Sequence, residues 1–332
     1  MEFPYVIANA FAKPGADHTG NPAAVVFLDE RGESVGDDVL QGVATTINLS
    51  ETAFVSFITD AREEWVDYSI RWFTPSQEID FCGHASLAAA KVILTYRHSG
   101  RNRVRFTFGA GVANANELIV THDDETDGQY TMEASTSAPS AIVDEVNAVK
   151  TIREAFEETT CAAATFSASR NSIGDTFLLI NTTGTRDECF YECFNAYFDS
   201  ERAPDMAKIA SIGGRGVSVV LPAYGRPNRD YDFYTRWFGP RVGIPEDPAT
   251  GSACCGIAPL LTSTFGVEPG CWIRGAQLSR ERGDLRLRLA RDDVALTHVS
   301  AIVRLRFRGE VIVTVDAKSK AFRDERRAIV DA

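Results

Sequence analysis

Two short stretches combine titratable side chains with residues small enough to let a ligand approach the backbone. Residues 82–86 read Cys-Gly-His-Ala-Ser, and residues 246–256 read Glu-Asp-Pro-Ala-Thr-Gly-Ser-Ala-Cys-Cys-Gly. In each, a Gly and a polar residue open an apolar run, which is how a helix begins. The first N–H groups of a helix have no partner inside it and carry the positive end of its dipole, so they attract carboxylate or phosphate. If the starts at Gly83-His84 and Gly251-Ser252 converge, they would hold a small carboxylate without any Arg. The plainer alternative is that each Gly ends a strand and Ser252 only caps a helix. A phosphate loop is a poor match, because no Lys follows Gly251.

Glu51 stands in Asn-Leu-Ser-Glu-Thr, at the start of an expected strand. Solvated, it is an ordinary acid; buried, it is suited to proton transfer near neutrality. His84 can serve as a general acid or base, as a substrate contact, or as a helix cap. Asp247 can orient a neighbour or simply form a turn before Pro248. Cys82 is either a thiolate base near a helix N-terminus or an inert buried thiol. The other six Cys residues are scattered, with no CxxC pair and no His at zinc-finger spacing.

The elements that must position these residues are legible from periodicity. Residues 5–11, 23–29, 51–58 and 67–75 read as strands, and 84–98 as a nearly all-apolar, buried helix. The segment 103–122 returns to strands. The second half repeats the plan, with a strand at 130–135 and an amphipathic helix within 140–156. Strands follow at 175–183, 216–224 and 230–240, then an apolar helix at 251–266 and closing strands at 284–290 and 301–317. The charged tail 318–327 is expected to be solvated. Arg-Trp-Phe precedes both apolar helices, at 71–73 and 236–238, with a Pro- and acid-bearing loop between. This parallel points to a duplicated domain, with the two helix starts in equivalent places.

Composition bounds the function. A chain of 332 residues with 44% hydrophobic and 24% charged residues suits a two-domain globular protein. A net charge of −12 speaks against nucleic-acid binding. No apolar run approaches the roughly 20 residues of a membrane span. The N-terminus carries no signal-peptide pattern, and free thiols suit a reducing, cytoplasmic setting.

The stretches Gly-Asn-Pro-Ala-Ala-Val-Val (20–26), Asn-Leu-Ser-Glu-Thr-Ala-Phe-Val (48–55), Cys-Gly-His-Ala-Ser (82–86) and Asp-Pro-Ala-Thr-Gly-Ser-Ala (247–253) together resemble the phenazine biosynthesis PhzF-like family, related in fold to diaminopimelate epimerases. The resemblance implies an α+β fold of two similar domains. Each is a β-sheet rolled around a central helix, with the active site in the cleft between them. The corresponding ranges are 1–125, which 315–332 could complete, and 126–314. It implies Glu51 as general acid/base, with His84, Asp247 and Ser252 as further catalytic residues. Gly83, Gly251 and Ser252 would bind the substrate. No metal or organic cofactor is implied, and relatives commonly form homodimers.

The implied function is a cofactor-independent isomerase acting on a small carboxylic acid, as in the double-bond shift of a dihydro-hydroxyanthranilate. The related epimerases use two cysteines, one on each face of the α-carbon. Cys82 matches the first, while the second falls on Pro248, so a one-base mechanism through Glu51 fits better. The alternatives are an epimerase or racemase using Cys82 with Glu51 or His84, and a catalytically inactive small-molecule binder.

Overall fold

The protein is described by a computed structural model covering residues 2–16, 18–28, 35–60, 62–109, 116–123, 126, 128–223, 230–315 and 322–327. The chain forms two compact units. One takes Met1–Asp17, Asn21–Glu133 and Ser300–Ala332; the other takes His18–Gly20 and Ala134–Val299.

The first unit runs β1 (Glu2–Ala10), β2 (Asn21–Phe27), α1 (Asp37–Ile47), β3 (Glu51–Thr59), β4 (Val66–Phe73), β5 (Glu78–Ile79), α2 (Gly83–Tyr96), β6 (Arg103–Phe108), β7 (Asn116–His122) and β8 (Gln129–Ser135). β1 pairs antiparallel with β2, β2 parallel with β3, β3 antiparallel with β4, β4 parallel with β6, and β6 antiparallel with β7. Each parallel join requires a crossover, supplied by α1 and α2. Strand alternation sorts the side chains between them. Phe54 packs with Val39, Leu40 and Val43 of α1, while Glu51, three residues earlier, meets His84 of α2. Helix α2 is Ala- and Leu-rich and buried almost all round, because it packs against strands β1, β2, β3, β6 and β7.

The second unit runs β9 (Ser140–Ala141), α3 (Glu145–Ala155), β10 (Thr165–Arg170), β11 (Asp175–Asn181), α4 (Asp187–Tyr197), α5 (Met206–Ser211), β12 (Gly216–Pro222), β13 (Phe233–Gly239), β14 (Ile244–Asp247), α6 (Gly251–Phe265), β15 (Ile273–Gln277), β16 (Gly283–Leu289) and β17 (Leu296–Ile302). From β10 the pairing is antiparallel, parallel, antiparallel, parallel, antiparallel through β11, β12, β13, β15 and β16. That is the order found from β1 to β7, so the repeat suggested by Arg-Trp-Phe extends to the topology. Helices α3, α4 and α5 cover one face through Ile152, Phe156, Phe190, Tyr197 and Ile209. Helix α6 packs on β12 and β16. Pro259 inside α6 cannot donate to the Cys255 carbonyl, and the Ser137 N–H fills that place at 3.0 Å.

The chain then returns to the first unit, where β18 (Arg304–Val315) pairs antiparallel with β1 and β19 (Phe322–Arg327) with β18. Divisions expected after residues 125 and 314 lie instead at 133/134 and 299/300, because β18 belongs with β1. Part of the charged tail is thus a strand; residues 318–321 lie outside the described residues. Helices α1, α4 and α5 were not read from sequence. Among the described residues, no helix is long and apolar enough to cross a membrane.

Candidate active site

In the first unit, two crossovers bring four polar side chains onto one imidazole. Glu51 opens β3 and is 4% exposed; His84, the second residue of α2, is 3% exposed. His84 Nε2 lies 3.1 Å from Glu51 Oε2 and 3.5 Å from Ser50 Oγ. Its Nδ1 lies 3.2 Å from Asn21 Nδ2 and 3.4 Å from Cys82 Sγ. Carboxylate and thiol approach opposite nitrogens of the ring, and one ligand atom from each of Glu51, Cys82 and His84 lies within 4.8 Å of the others.

The electrostatics separate thiol from imidazole. Burial raises the pKa of Cys82, and the nearby Glu51 charge raises it further; His84 offsets only part. Cys82 therefore keeps its proton at neutral pH, against the option of a thiolate base. Burial pulls His84 down, but Cys82 and the Glu51 carboxylate beside it outweigh burial and hold the imidazole well above its usual 6.5. His84 is no cap: the N-cap of α2 is Cys82, with no side-chain capping bond.

In the second unit, α6 begins at the equivalent place. Its N-cap is Thr250, a good capping residue, yet the hydroxyl donates to Asp247 Oδ2 instead of the helix. Gln277 locks this turn, donating to the Asp247 carbonyl at 2.7 Å and accepting from Thr250 N at 2.9 Å. Both central helices thus start without a capping side chain, and Gly83 and Gly251 are buried there. Thr250 directly precedes Gly251 as Cys82 precedes Gly83, so the counterpart of Cys82 is Thr250 and not Pro248. It carries no thiol either.

Ser252 corresponds to His84 and is held differently. Arg215 Nη2 donates to Ser252 Oγ at 2.8 Å and also to the buried Asp175 carboxylate, which Nε grips at 2.9 Å. Trp237 Nε1 donates to the same carboxylate at 3.1 Å. An Arg therefore does stand at this helix start, contrary to the expectation of a grip without one. Arg215 precedes the first residue of β12 just as Ser50 precedes the first of β3, so laying the two repeats together would have found it. The same superposition matches Gly216 with Glu51 and Ala23 with Asp175. A Cβ on Gly216 would lie 2.3 Å from the Trp237 ring, so the indole fills the place that Glu51 holds in the first unit.

The Arg of each Arg-Trp-Phe clamps the acid leading to the helix start. Arg71 Nε bonds Glu78 at 2.7 Å, and Arg236 Nε bonds Glu246 at 2.7 Å. Arg236 is fully buried and also caps the carbonyls of Tyr197, Asp199 and Arg202.

A profile of the family described as "Phenazine biosynthesis-like protein" matches residues 8–315. A mouse protein named phenazine biosynthesis-like domain-containing protein 2 is 30% identical, over 88% of this chain and 93% of its own. An uncharacterized isomerase of Pseudomonas aeruginosa is 33% identical, over 86% and 89%. Among solved structures, a PhzF-family protein of Enterococcus faecalis aligns with a TM-score of 0.69 at 27% identity, covering 93% of this chain and 99% of its own. A proline racemase-like protein of Agrobacterium radiobacter shares the fold at 10% identity, with a TM-score of 0.58.

Proposed function

Since the chain belongs to the phenazine biosynthesis-like family, we propose that it is a cofactor-independent isomerase that shifts a proton within a small carboxylic acid. Glu51 is the general acid/base, His84 its partner, and the α6 start with Ser252 and Gly251 a holder of the substrate carboxylate. The α2 start with Gly83 offers the same kind of donors, and Asp247 fixes the turn before α6. The observation that carries this reading is the buried Glu51–His84 pair at 3.1 Å. A carboxylate kept from water next to an imidazole has the chemistry to take a proton from one carbon and return it to another. That relatives are named isomerases supports the reaction class.

Deuterium wash-in tests it. The protein is incubated in heavy water with unsaturated and α-amino acids, and each compound is followed by NMR and mass spectrometry. Exchange or isomerisation by the wild type should fall about 10²–10⁴-fold in Glu51→Gln. Turnover unchanged by that substitution would reject the mechanism.

One observation favours a second reading, an epimerase using the thiol–imidazole contact at 3.4 Å. It predicts that Cys82→Ser abolishes exchange at the α-carbon, whereas the first reading predicts activity within a few-fold of wild type. A cytoplasmic homodimer accompanies the family reading, and light scattering checks the assembly.

A further inference from the structure

Asn21, the first residue of β2, is fully buried yet was given no role by its motif. Its amide lies between Ser50 and His84. The nitrogen is 3.2 Å from His84 Nδ1 and the oxygen 3.1 Å from Ser50 Oγ. Ser50 Oγ is also 3.3 Å from the Pro22 carbonyl. An amide has a donor end and an acceptor end, and its neighbours decide which faces the ring.

Both protonation states of His84 can be matched by these partners. With the ring neutral and its proton on Nε2, Nδ1 accepts from the Asn21 N–H, and the Ser50 hydroxyl donates to the amide oxygen. With a second proton on Nδ1, the amide turns over and accepts through its oxygen. Its N–H then donates to Ser50 Oγ, whose own proton goes to the Pro22 carbonyl. Asn21 and Ser50 have a partner of the right polarity in both states, which matters because a buried polar group left unpaired is costly, whereas the Cys82 thiol, 3.4 Å from Nδ1, has its acceptor there only while the ring is neutral. The Nε2–H to Glu51 contact is the same in both.

We propose that Asn21 is a positioning residue that lets His84 gain and lose a proton at Nδ1 while Nε2–H stays bonded to Glu51. This deepens the proposed function and rests on it, since Glu51 and His84 handle the proton there. The titratable groups facing the ring are Glu51 from β3 and Cys82 from the start of α2. The β2 and pre-β3 sides present neutral groups, Asn21 and Ser50.

The test is a pH titration of the full-length protein with 15N-labelled histidine, with His84 assigned from a His84→Gln spectrum. In wild type, Nδ1 should titrate while Nε2 stays protonated. Asn21→Asp should raise the proton affinity of His84 about tenfold or more, since a carboxylate then faces Nδ1. Asn21→Leu should lower it, since the charge-assisted bond is gone. A residue that only fills space would not give shifts of opposite sign. Unchanged midpoints in both variants, or loss of the Nε2 proton first, would overturn the proposal. If neither Asn21 variant folds, Asn21→Ala decides. It should lower the midpoint by taking away the amide oxygen that accepts from the protonated Nδ1, and an unchanged midpoint would again overturn the proposal. These titrations need no substrate. The expected order of midpoints without any deuterium wash-in would leave the Asn21 role standing and reject the isomerase reading.

Discussion

At the scale of single residues, Ser252 is oriented by charge that it does not carry. Because Arg215 donates to its oxygen, the hydroxyl proton points elsewhere and can be given to a ligand. Removing Asp175 would release Arg215 and leave the Trp237 N–H without its acceptor. Breaking a buried pair typically costs about 3–5 kcal/mol, but Arg215 is partly solvated, so about 2–3 kcal/mol is expected for Asp175→Ala. Urea unfolding measures it, and a loss below about 0.5 kcal/mol would show the carboxylate to be dispensable. Glu51, His84 and Asp247 were legible because each sits in a short contiguous motif. Arg215 and Asp175 were not, because they are 40 residues apart and meet only when β11 pairs with β12. Nor could spacing show that Thr250 would turn its hydroxyl away from its own helix.

At the scale of elements, α2 and α6 were readable because a helix buried on all sides must be apolar all round. Helices α1 and α4 bury only four residues each, α4 mixes acids with aromatics, and α5 has only 6 residues, so their periodic stripes are faint. The fit of α6 to its sheet is close. A Cβ on Gly256 would come within 2.4 Å of the Phe177 ring. Gly256→Ala should therefore cost about 1–3 kcal/mol from overpacking, despite the better helix propensity of Ala. Combining it with Phe177→Leu should recover part of the loss, so the double-mutant cycle should show a coupling of at least about 0.5 kcal/mol. Additive losses would mean that the two residues do not share the contact.

At the scale of the molecule, buried thiols set the alkaline limit. Burial raises Cys82 and Cys254, and it pushes Cys255 up to about 12 from an ordinary 9.0. The folded chain holds these protons more tightly than the unfolded chain does. Their contribution is complete below pH 9.0 and is lost as pH rises through the folded values. His84, also raised, adds a decline that begins above 6.5. Denaturation midpoints should fall gently from neutrality and steeply above pH 9.0, and Cys255→Ala should flatten the steep limb. A midpoint that climbs with pH in that range would contradict the assignment. The duplicated topology was legible in outline from Arg-Trp-Phe, whereas its divergence was not, because the exchange of Glu51 for Gly216 is visible only in the paired strands. That exchange has a bearing on descent. An ancestor with two identical halves would have carried either a carboxylate twice or an indole over glycine twice. The second half cannot gain the carboxylate by one substitution, since the Trp237 ring occupies the space a Glu at 216 would need. Specialisation therefore required coupled changes, and it leaves the two halves unable to trade roles today.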